Sequence, residues 1–388
     1  MLGLTEIRGF PCARMAAMYF AVSSEQGMLR DAIRSYLSAK APLTKVRELM
    51  ETVEGFDQGM WDEMANMGWQ SLAIPEAYGG AGYTFLELGI LIEEMGRALT
   101  PSPFLSSVVL GANAILLAGT EEQRTTYLPG IASGETRVTV AIAEPGRGWS
   151  VDGVALSAEA VGDGWVVSGE KSYVLDGHTA DLIIVAGRDA DDEVGLFLVD
   201  PAADGVSIER LETLDMTRKQ ASIVLSGAVA IERLDGGSSR ETIERLYDIA
   251  AVMLAFEQIG GAQRCMEMSV DYAKERVQFG RPIGSFQAIK HMCADMLVDV
   301  EAARSTAQYA GWALSDDDDD FGVAAALAKV RCSDAFFSVA ADTIQVHGGI
   351  GFTWEHDAHL YFKRAKTDQL LFGSPAEWRE KLADRLGL

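Results

Sequence analysis

The chain has 388 residues, of which 48% are hydrophobic and 23% are charged, and this composition is typical of a soluble globular protein with two or three domains. The formal net charge of −24 argues against nucleic-acid binding, because contact with phosphates needs basic patches. No apolar run reaches the roughly 20 residues that span a bilayer, so we expect no membrane span.

The cysteines and the N-terminus indicate where the protein works. The four cysteines include no C-x-x-C pair, which favours buried free thiols over disulfides and predicts a cytoplasmic protein. Residues 1–20 contain a broken apolar run that does not fit a signal peptide. We expect them to be an N-terminal extension that is disordered, or that precedes the true first residue of the protein, which would then be Met15 or Met18.

Residues 21–135 form the first predicted domain, which is α-helical. Leu88, Leu91, Ile92 and Met95 repeat at the spacing of one helix face. A Gly-rich segment at residues 74–82 interrupts the helical pattern and predicts a turn.

Residues 136–238 form the second predicted domain, in which the hydrophobic period changes to two. Short runs rich in β-branched and apolar residues alternate with turns that contain Gly and Asp. This pattern predicts an antiparallel β-barrel or sandwich.

Residues 239–388 form the third predicted domain, in which helices return as a bundle. The five aspartates at residues 316–320 separate two of these helices. Adjacent carboxylates repel and cannot converge on one ion, so we expect a solvated loop and no metal site.

Two short segments of the third domain are unusual. In residues 271–292 a helix ends near Arg276, Phe279-Gly280 prevents its continuation, and Ser285 is the expected N-cap of the next helix. Taken alone, this segment predicts an ordinary helical hairpin. Residues 345–352 place three glycines in four positions, which allows a backbone to approach a phosphate closely.

Together these segments resemble the acyl-CoA dehydrogenase family. The first reads R-x-x-F-G-x-x-x-x-x-x-Q from Arg276 to Gln287, the second reads Q-x-x-G-G-x-G from Gln345, and supporting matches cover residues 25–371. The chain looks like the actinobacterial type, including subunits of sterol-degrading enzymes. The resemblance implies an α+β multidomain fold with an N-terminal α-helical domain, a middle β domain and a C-terminal four-helix bundle.

The resemblance also implies FAD, bound between the β domain and the C-terminal helices and partly across a subunit interface. One set of residues would hold the pyrophosphate and adenosine half of the dinucleotide: Arg276, Phe279, Gln287, Gln345, Gly348 and Gly349. A second set would lie against the isoalloxazine ring: Ile142, Ala143, Tyr173, Val174 and Leu175. Ala143 and Leu175 replace hydroxyl residues that are common in the family, so ring contacts there would depend on backbone N–H groups.

The implied reaction is α,β-dehydrogenation of an acyl-CoA thioester. A carboxylate removes the α proton while hydride passes from the β carbon to flavin N5, and hydrogen bonds stabilise the charge on the thioester oxygen. The two positions where the family carries this base are Ala250 and Phe372 here, and neither is acidic. Phe372 keeps a backbone N–H that could bind the thioester carbonyl.

Glu257 is the leading candidate for the base within the chain. It lies seven residues after Ala250 on nearly the same helix face, although this is roughly 10 Å along the axis. The other interpretation is a buried carboxylate paired with an arginine or a helix N-terminus.

The missing base leaves two hypotheses for function. The chain is either a dehydrogenase with a relocated base, or a non-catalytic subunit that completes the flavin site of a homologous chain. The resemblance implies a homotetramer or heterotetramer, and it implies that electrons pass to electron-transfer flavoprotein.

Overall fold

The computed structural model describes residues 23–388, so the expected N-terminal extension lies outside the described residues. The first region is helical, and Ser23, Thr84 and Thr120 each form a capping box at a helix start. Its helices are α1 (Ser24–Lys40), α2 (Leu43–Leu49), α3 (Gln58–Asn66), α4 (Phe85–Ala98), α5 (Ala112–Ala118) and α6 (Glu121–Ala132). A π-helical stretch, Leu105–Gly111, leads into α5.

The middle region is an eight-stranded sheet. Its strands are β1 (Val138–Ala141), β2 (Ser157–Val161), β3 (Gly164–Leu175), β4 (Leu182–Arg188), β5 (Val194–Val199), β6 (Val206–Arg210), β7 (Gln220–Val229) and β8 (Glu232–Arg233). The strand order is β6-β7-β3-β2-β4-β5-β8, and β1 pairs with β4. The sheet is mainly antiparallel as predicted, but β1 runs parallel to β4, which the alternation of residues could not indicate.

The last region is helical and is organised around one long helix. Its helices are α7 (Ser239–Glu275), α8 (Gln287–Ser315), α9 (Phe321–His347), α10 (Ala358–Leu370) and α11 (Pro375–Arg385). Helix α7 packs against α9, α8 and α4, so its middle is buried on all sides. The largest hydrophobic core joins residues from all three regions.

Two local predictions can be compared with these boundaries. The loop expected at residues 316–320 separates α8 from α9. The prediction that Ser285 caps the second helix is wrong, because α8 begins at Gln287 after Phe286, and its N-cap has no side-chain hydrogen bond. Ser285 lies instead in a short 3-10 turn, Ile283–Ser285.

Two further features concern the described part of the chain. None of its helices is both long and apolar enough to cross a membrane. Nor do residues 23–388 contain a group of three or more His, Cys, Asp or Glu side chains that could hold a metal ion.

Candidate functional site

The first motif forms an exposed turn at the C-terminal end of α7. Arg276 is the C-cap residue of α7, and strands β9 (Val277–Gln278) and β10 (Arg281–Pro282) form a small hairpin after it. Phe279 and Gly280 form the two-residue turn with φ values of 53° and 77°, a geometry that favours a tight hairpin. The Phe279 side chain is 92% exposed.

The second motif lies at the same end of the bundle. The ring of Tyr272, one turn before Arg276, stacks on His347 at the end of α9 with 4.4 Å between centroids. Gly348 follows His347 with φ 63°, and a Cβ atom added at Gly348 or Gly349 would meet nothing within 4 Å. The six residues predicted to hold the pyrophosphate half therefore share one exposed surface, which we call the Arg276 end.

The two segments predicted to face the flavin ring also lie together. Ile142 and Ala143 follow β1, and the backbone N–H of Ser172 in β3 donates to the Ala143 carbonyl at 2.9 Å. The pairing of β3 with β7 shifts register between Lys171 and Val174, and Tyr173 has φ 58°. Such a bulge re-aims side chains, and Tyr173 is 52% exposed as a result.

Lys171 and Glu144 support this region and were not predicted from the sequence. The Lys171 Nζ donates to the Ile142 carbonyl at 3.0 Å and to Glu144 Oε1 at 2.6 Å. Burial would raise the pKa of Glu144, but Lys171 and two backbone N–H groups hold it below its usual value. Burial lowers the pKa of Lys171 to about 8. The signal in the sequence was a charged residue beside apolar strand residues: Lys171 lies within β3, and Glu144 follows the end of β1 by three residues.

An aromatic cluster fills the space next to the ring-facing segments. It consists of Trp149, Tyr173, Tyr247 and Phe372. The Trp149 ring lies 5.3 Å from Phe372 and 6.4 Å from both Tyr173 and Tyr247, measured between centroids. Phe372 and Tyr247 are each 3% exposed. The cluster thus joins the β domain to α7 and to the end of α10.

Trp149, Tyr247 and Phe372 of the aromatic cluster line a cleft of about 480 Å³. Its charged lining residues are Asp152, Glu244, Glu377, Glu380, Asp384, Arg240, Lys381 and Arg385. Five carboxylates therefore face three cations.

The two positions where the resemblance places the base are buried and apolar. Ala250 is fully buried in α7. Phe372 has φ 61°, its carbonyl accepts from Trp378 Nε1 at 2.9 Å, and its backbone N–H donates to no group within residues 23–388. That N–H is therefore available to a ligand.

Glu257 lies in a buried ion-pair cluster. Arg218 donates to its carboxylate, and Arg364 Nη1 donates to its Oε1 at 2.6 Å. Arg364 also donates to Asp215 at 2.7 Å. Burial alone would raise the pKa of Glu257, but the charges of Arg218 and Arg364 and their hydrogen bonds hold it below its ordinary value. These contacts agree with the second interpretation of Glu257, a paired buried carboxylate.

The two predicted halves of the flavin site lie at opposite ends of α7. Tyr247 touches the aromatic cluster, and Tyr272 touches the Arg276 end. The 25 residues between them span roughly 37 Å at about 1.5 Å per residue. The two predicted halves therefore lie far apart within one chain.

Each half fits part of FAD. At the Arg276 end, Gly348 and Gly349 leave open space, and Arg276 is exposed with no ion pair to any residue that the structure describes. Such an arginine suits a pyrophosphate. At the other end, Ala143 and Leu175 are buried and supply no hydroxyl group. The polar groups that remain there for the flavin ring are those of the bulged backbone at Tyr173.

Comparisons with known proteins identify the family of the chain. Family models for the N-terminal, middle and C-terminal domains of acyl-CoA dehydrogenases match residues 23–135, 139–226 and 241–387. Acyl-CoA dehydrogenase IpdE2 of Mycolicibacterium smegmatis is 34% identical over 93% of this chain and 98% of its own length.

Two solved structures are also similar. A glycine-to-alanine variant of the Tcur3481-Tcur3483 steroid acyl-CoA dehydrogenase is 33% identical, with a TM-score of 0.85 over 95% of this chain and 99% of the other. The ChsE4-ChsE5 complex from Mycobacterium tuberculosis is 29% identical, with a TM-score of 0.87 over the same shares. Three domain matches in order, over nearly the whole described chain, place this protein in the acyl-CoA dehydrogenase family of oxidoreductases.

Proposed function

We propose that this chain works as one subunit of a hetero-oligomeric, FAD-dependent acyl-CoA dehydrogenase and completes the flavin site of a homologous chain. The observation that carries the proposal is that Ala250 and Phe372, the two positions where the resemblance places the base, are buried and apolar. The two half-sites also lie roughly 37 Å apart along α7, so a neighbouring chain would complete each flavin site. The described complex of ChsE4 with ChsE5 is a precedent among similar proteins.

The Arg276 end is the part that the neighbour would use. Its guanidinium would donate charge-assisted hydrogen bonds to the pyrophosphate, and the open backbone at Gly348 and Gly349 would lie against the dinucleotide. Exposed apolar side chains beside these groups, such as Val277, Phe279 and Phe352, are suited to burial by a partner.

At the other end of α7, the two positions where the resemblance places the base supply no carboxylate, because they are Ala250 and Phe372. The aromatic cluster fills the adjoining space. In this proposal the homologous chain supplies the base that removes the α proton. The Phe372 N–H remains a donor for the thioester oxygen where an acyl-CoA enters.

FAD, when bound, supplies the acceptor for hydride from the β carbon. The residues of this chain hold and orient that group, while the Glu144–Lys171 pair fixes the loop beside the ring by its bond to the Ile142 carbonyl. We extend the family resemblance to electron-transfer flavoprotein as the partner that receives the electrons.

The test is to purify the chain alone and together with a homologous subunit, and to record visible absorption before and after adding acyl-CoA thioesters. We expect flavin absorption that bleaches with substrate only in the joint preparation. A chain that alone carries about one FAD and bleaches with an acyl-CoA would contradict the proposal.

The competing hypothesis is an autonomous dehydrogenase in which Glu257 is the base. The variant Glu257→Gln tests it, because the amide keeps the shape but cannot accept the α proton. Under our proposal, the joint preparation of this variant reduces its flavin at the wild-type rate if its fold is intact. A loss of flavin reduction with normal flavin content and normal circular dichroism would favour Glu257 as the base.

A further inference from the structure

A second cleft, of about 370 Å³, opens between α1, α2, α4, α7 and α10, and none of the residues predicted to bind FAD lines it. We call it the arginine cleft. Its charged lining residues are Arg34, Arg97, Arg264 and Glu94. Three cations thus accompany one carboxylate, on a chain whose net charge is −24. A concave surface with excess positive charge attracts anions.

The carboxylates beside the arginine cleft already have partners. Glu94 accepts from Nε and Nη2 of Arg34 at 2.8 and 2.7 Å. Glu267, which lies outside the cleft wall, accepts from Arg97 and from Gln263 Nε2, the latter at 2.8 Å. The remaining capacity for hydrogen bonds is therefore on the cations.

An adjoining cavity of about 210 Å³ extends the same cluster toward α8. There Glu93 accepts from Arg30 at 2.9 Å and from Arg304. Arg304 also donates to Gln263 Oε1 at 3.1 Å and lies 3.8 Å from the exposed Glu301. These contacts join α1 and α8 to α4, so Arg30 and Arg304 have a structural role. The walls of the two cavities together contain five arginines and three glutamates.

Two arginines of the cleft have donors that this network does not use. Nη1 of Arg97 is buried and has no hydrogen-bond partner in the described part of the chain. Arg264 forms no hydrogen bond with residues 23–388, and its Nη1 lies 3.8 Å from Glu267. Nε of Arg30 is also buried without a hydrogen bond, 3.9 Å from Glu94 Oε1. Because a buried donor without an acceptor is costly, these groups point to an anionic acceptor.

We propose that the arginine cleft binds a phosphate group, with Arg97 and Arg264 as its principal donors. Guanidinium groups form charge-assisted, often bidentate hydrogen bonds with phosphate oxygens. The cleft wall carries two more cations than carboxylates, and this excess suits a phosphate group, whose charge is about −1.5 to −2 at pH 7.

The ligand is either inorganic phosphate or a small phosphate monoester. Apolar side chains of Leu37, Ala41 and Leu43 complete the wall and could contact the organic part of an ester. The site does not rest on the proposed function, since it shares no residue with the predicted flavin site.

The experiment is a calorimetric titration of the purified protein, in its native assembly and saturated with FAD. The ligands are inorganic phosphate and glycerol 3-phosphate, with glycerol as the uncharged control. Saturation with FAD keeps phosphate away from the Arg276 end.

The variants change the charge of the cleft at two positions. Ser38→Asp adds a carboxylate at an exposed position of the wall, and Ser38→Asn is the matched uncharged control. Arg264→Gln removes one donor, and we expect it to fold normally, because the exposed contact with Glu267 contributes little to stability. Arg331→Gln is its control, since Arg331 has the same 35% side-chain exposure but lines neither cavity.

We expect phosphate to bind the wild type and both control variants, and glycerol not to bind. Ser38→Asp and Arg264→Gln should each bind phosphate at least about tenfold more weakly, as expected for the loss of a charge-assisted hydrogen bond or for charge repulsion. Tighter binding of glycerol 3-phosphate than of inorganic phosphate assigns the site to a monoester. Equal or weaker binding of glycerol 3-phosphate assigns it to inorganic phosphate.

The proposal is overturned if neither phosphate compound binds. It is also overturned if Ser38→Asp or Arg264→Gln binds phosphate like the wild type, because the phosphate would then lie elsewhere. The titration requires no flavin reduction, so its result is independent of whether the assembly dehydrogenates acyl-CoA.

Discussion

The chain uses arginine in two contrasting surroundings. Arg364 is 3% exposed and bonded to Asp215, Glu257 and Thr217, whereas Arg276 is exposed and forms no ion pair in the described part of the chain. A buried arginine whose partners all belong to the same chain holds the domains together. An exposed arginine without a partner, beside open glycines, is available to a ligand. The surroundings of each arginine, and not the residue type, therefore indicate whether its role is structural or functional.

The largest expected effect on stability comes from replacing Arg364, the buried arginine of this comparison. Arg364→Leu leaves the buried carboxylate of Asp215 without its ion-pair partner and Glu257 with Arg218 alone, and we expect the free energy of unfolding to fall by about 3–5 kcal/mol. Urea denaturation followed by circular dichroism measures this. Arg276→Leu is the matched control and should change stability by less than about 0.5 kcal/mol. Equal losses in both variants would remove the distinction.

The second expected effect concerns the backbone of the Arg276 end. Gly348 has φ 63°, which a side chain disfavours, whereas Gly349 has no positive φ and has open space around it. We expect Gly348→Ala to lower the free energy of unfolding by about 1–3 kcal/mol and Gly349→Ala to leave it nearly unchanged. Thermal unfolding of the two variants distinguishes them. If both lose stability equally, the local conformation described for Gly348 is wrong.

The third expected effect compares two buried carboxyl groups. Glu257 has arginine partners that lower its pKa, while burial raises the pKa of Asp176 to about 6, despite the hydrogen bond from Ser106. The folded state therefore holds the Asp176 proton more tightly than the unfolded state, and this contribution to stability falls as pH rises from about 4 through 6. The contribution of Glu257 has the opposite sign, since it is present above the unfolded pKa and is lost as pH falls through the folded pKa.

Stability curves against pH test these signs. Asp176→Asn should exceed the wild type in stability at pH 7 by about 1–2 kcal/mol, with a smaller advantage near pH 4. Glu257→Gln should be less stable than the wild type at pH 7. A parallel pH dependence in both variants would show that the two carboxyl groups share one environment.

Much of the fold could be predicted because it depends on local pattern. The helical stripe of Leu88, Leu91 and Ile92 and the alternation in β3 are periodic within a few residues, and the aspartates at residues 316–320 interrupt a helix by charge repulsion. The parallel pairing of β1 with β4 was missed, because strand direction depends on the path of the chain between strands. Ser285 was assigned as a cap although the chain turns once more before α8.

The contacts of the site were harder to predict from the sequence, because they join residues that are far apart in the chain. Arg218 and Arg364 lie 39 and 107 positions from Glu257, so no local pattern indicated that this carboxylate is paired. The aromatic cluster likewise combines Trp149, Tyr247 and Phe372 from three separate elements. The convergence of Arg276 with Gly348 was implied by the family motif, and the stacking of Tyr272 on His347 gives its physical basis.

The central claim is that this chain completes a neighbour's flavin site through Arg276. The most direct measurement is the flavin-to-protein ratio and FAD affinity of the assembly in which only this chain carries Arg276→Gln, with Lys274→Gln as the matched exposed control. Loss of charge-assisted hydrogen bonds worth roughly 1.5–3 kcal/mol predicts FAD binding weaker by at least tenfold for Arg276→Gln alone. Unchanged FAD affinity in that assembly would contradict the account.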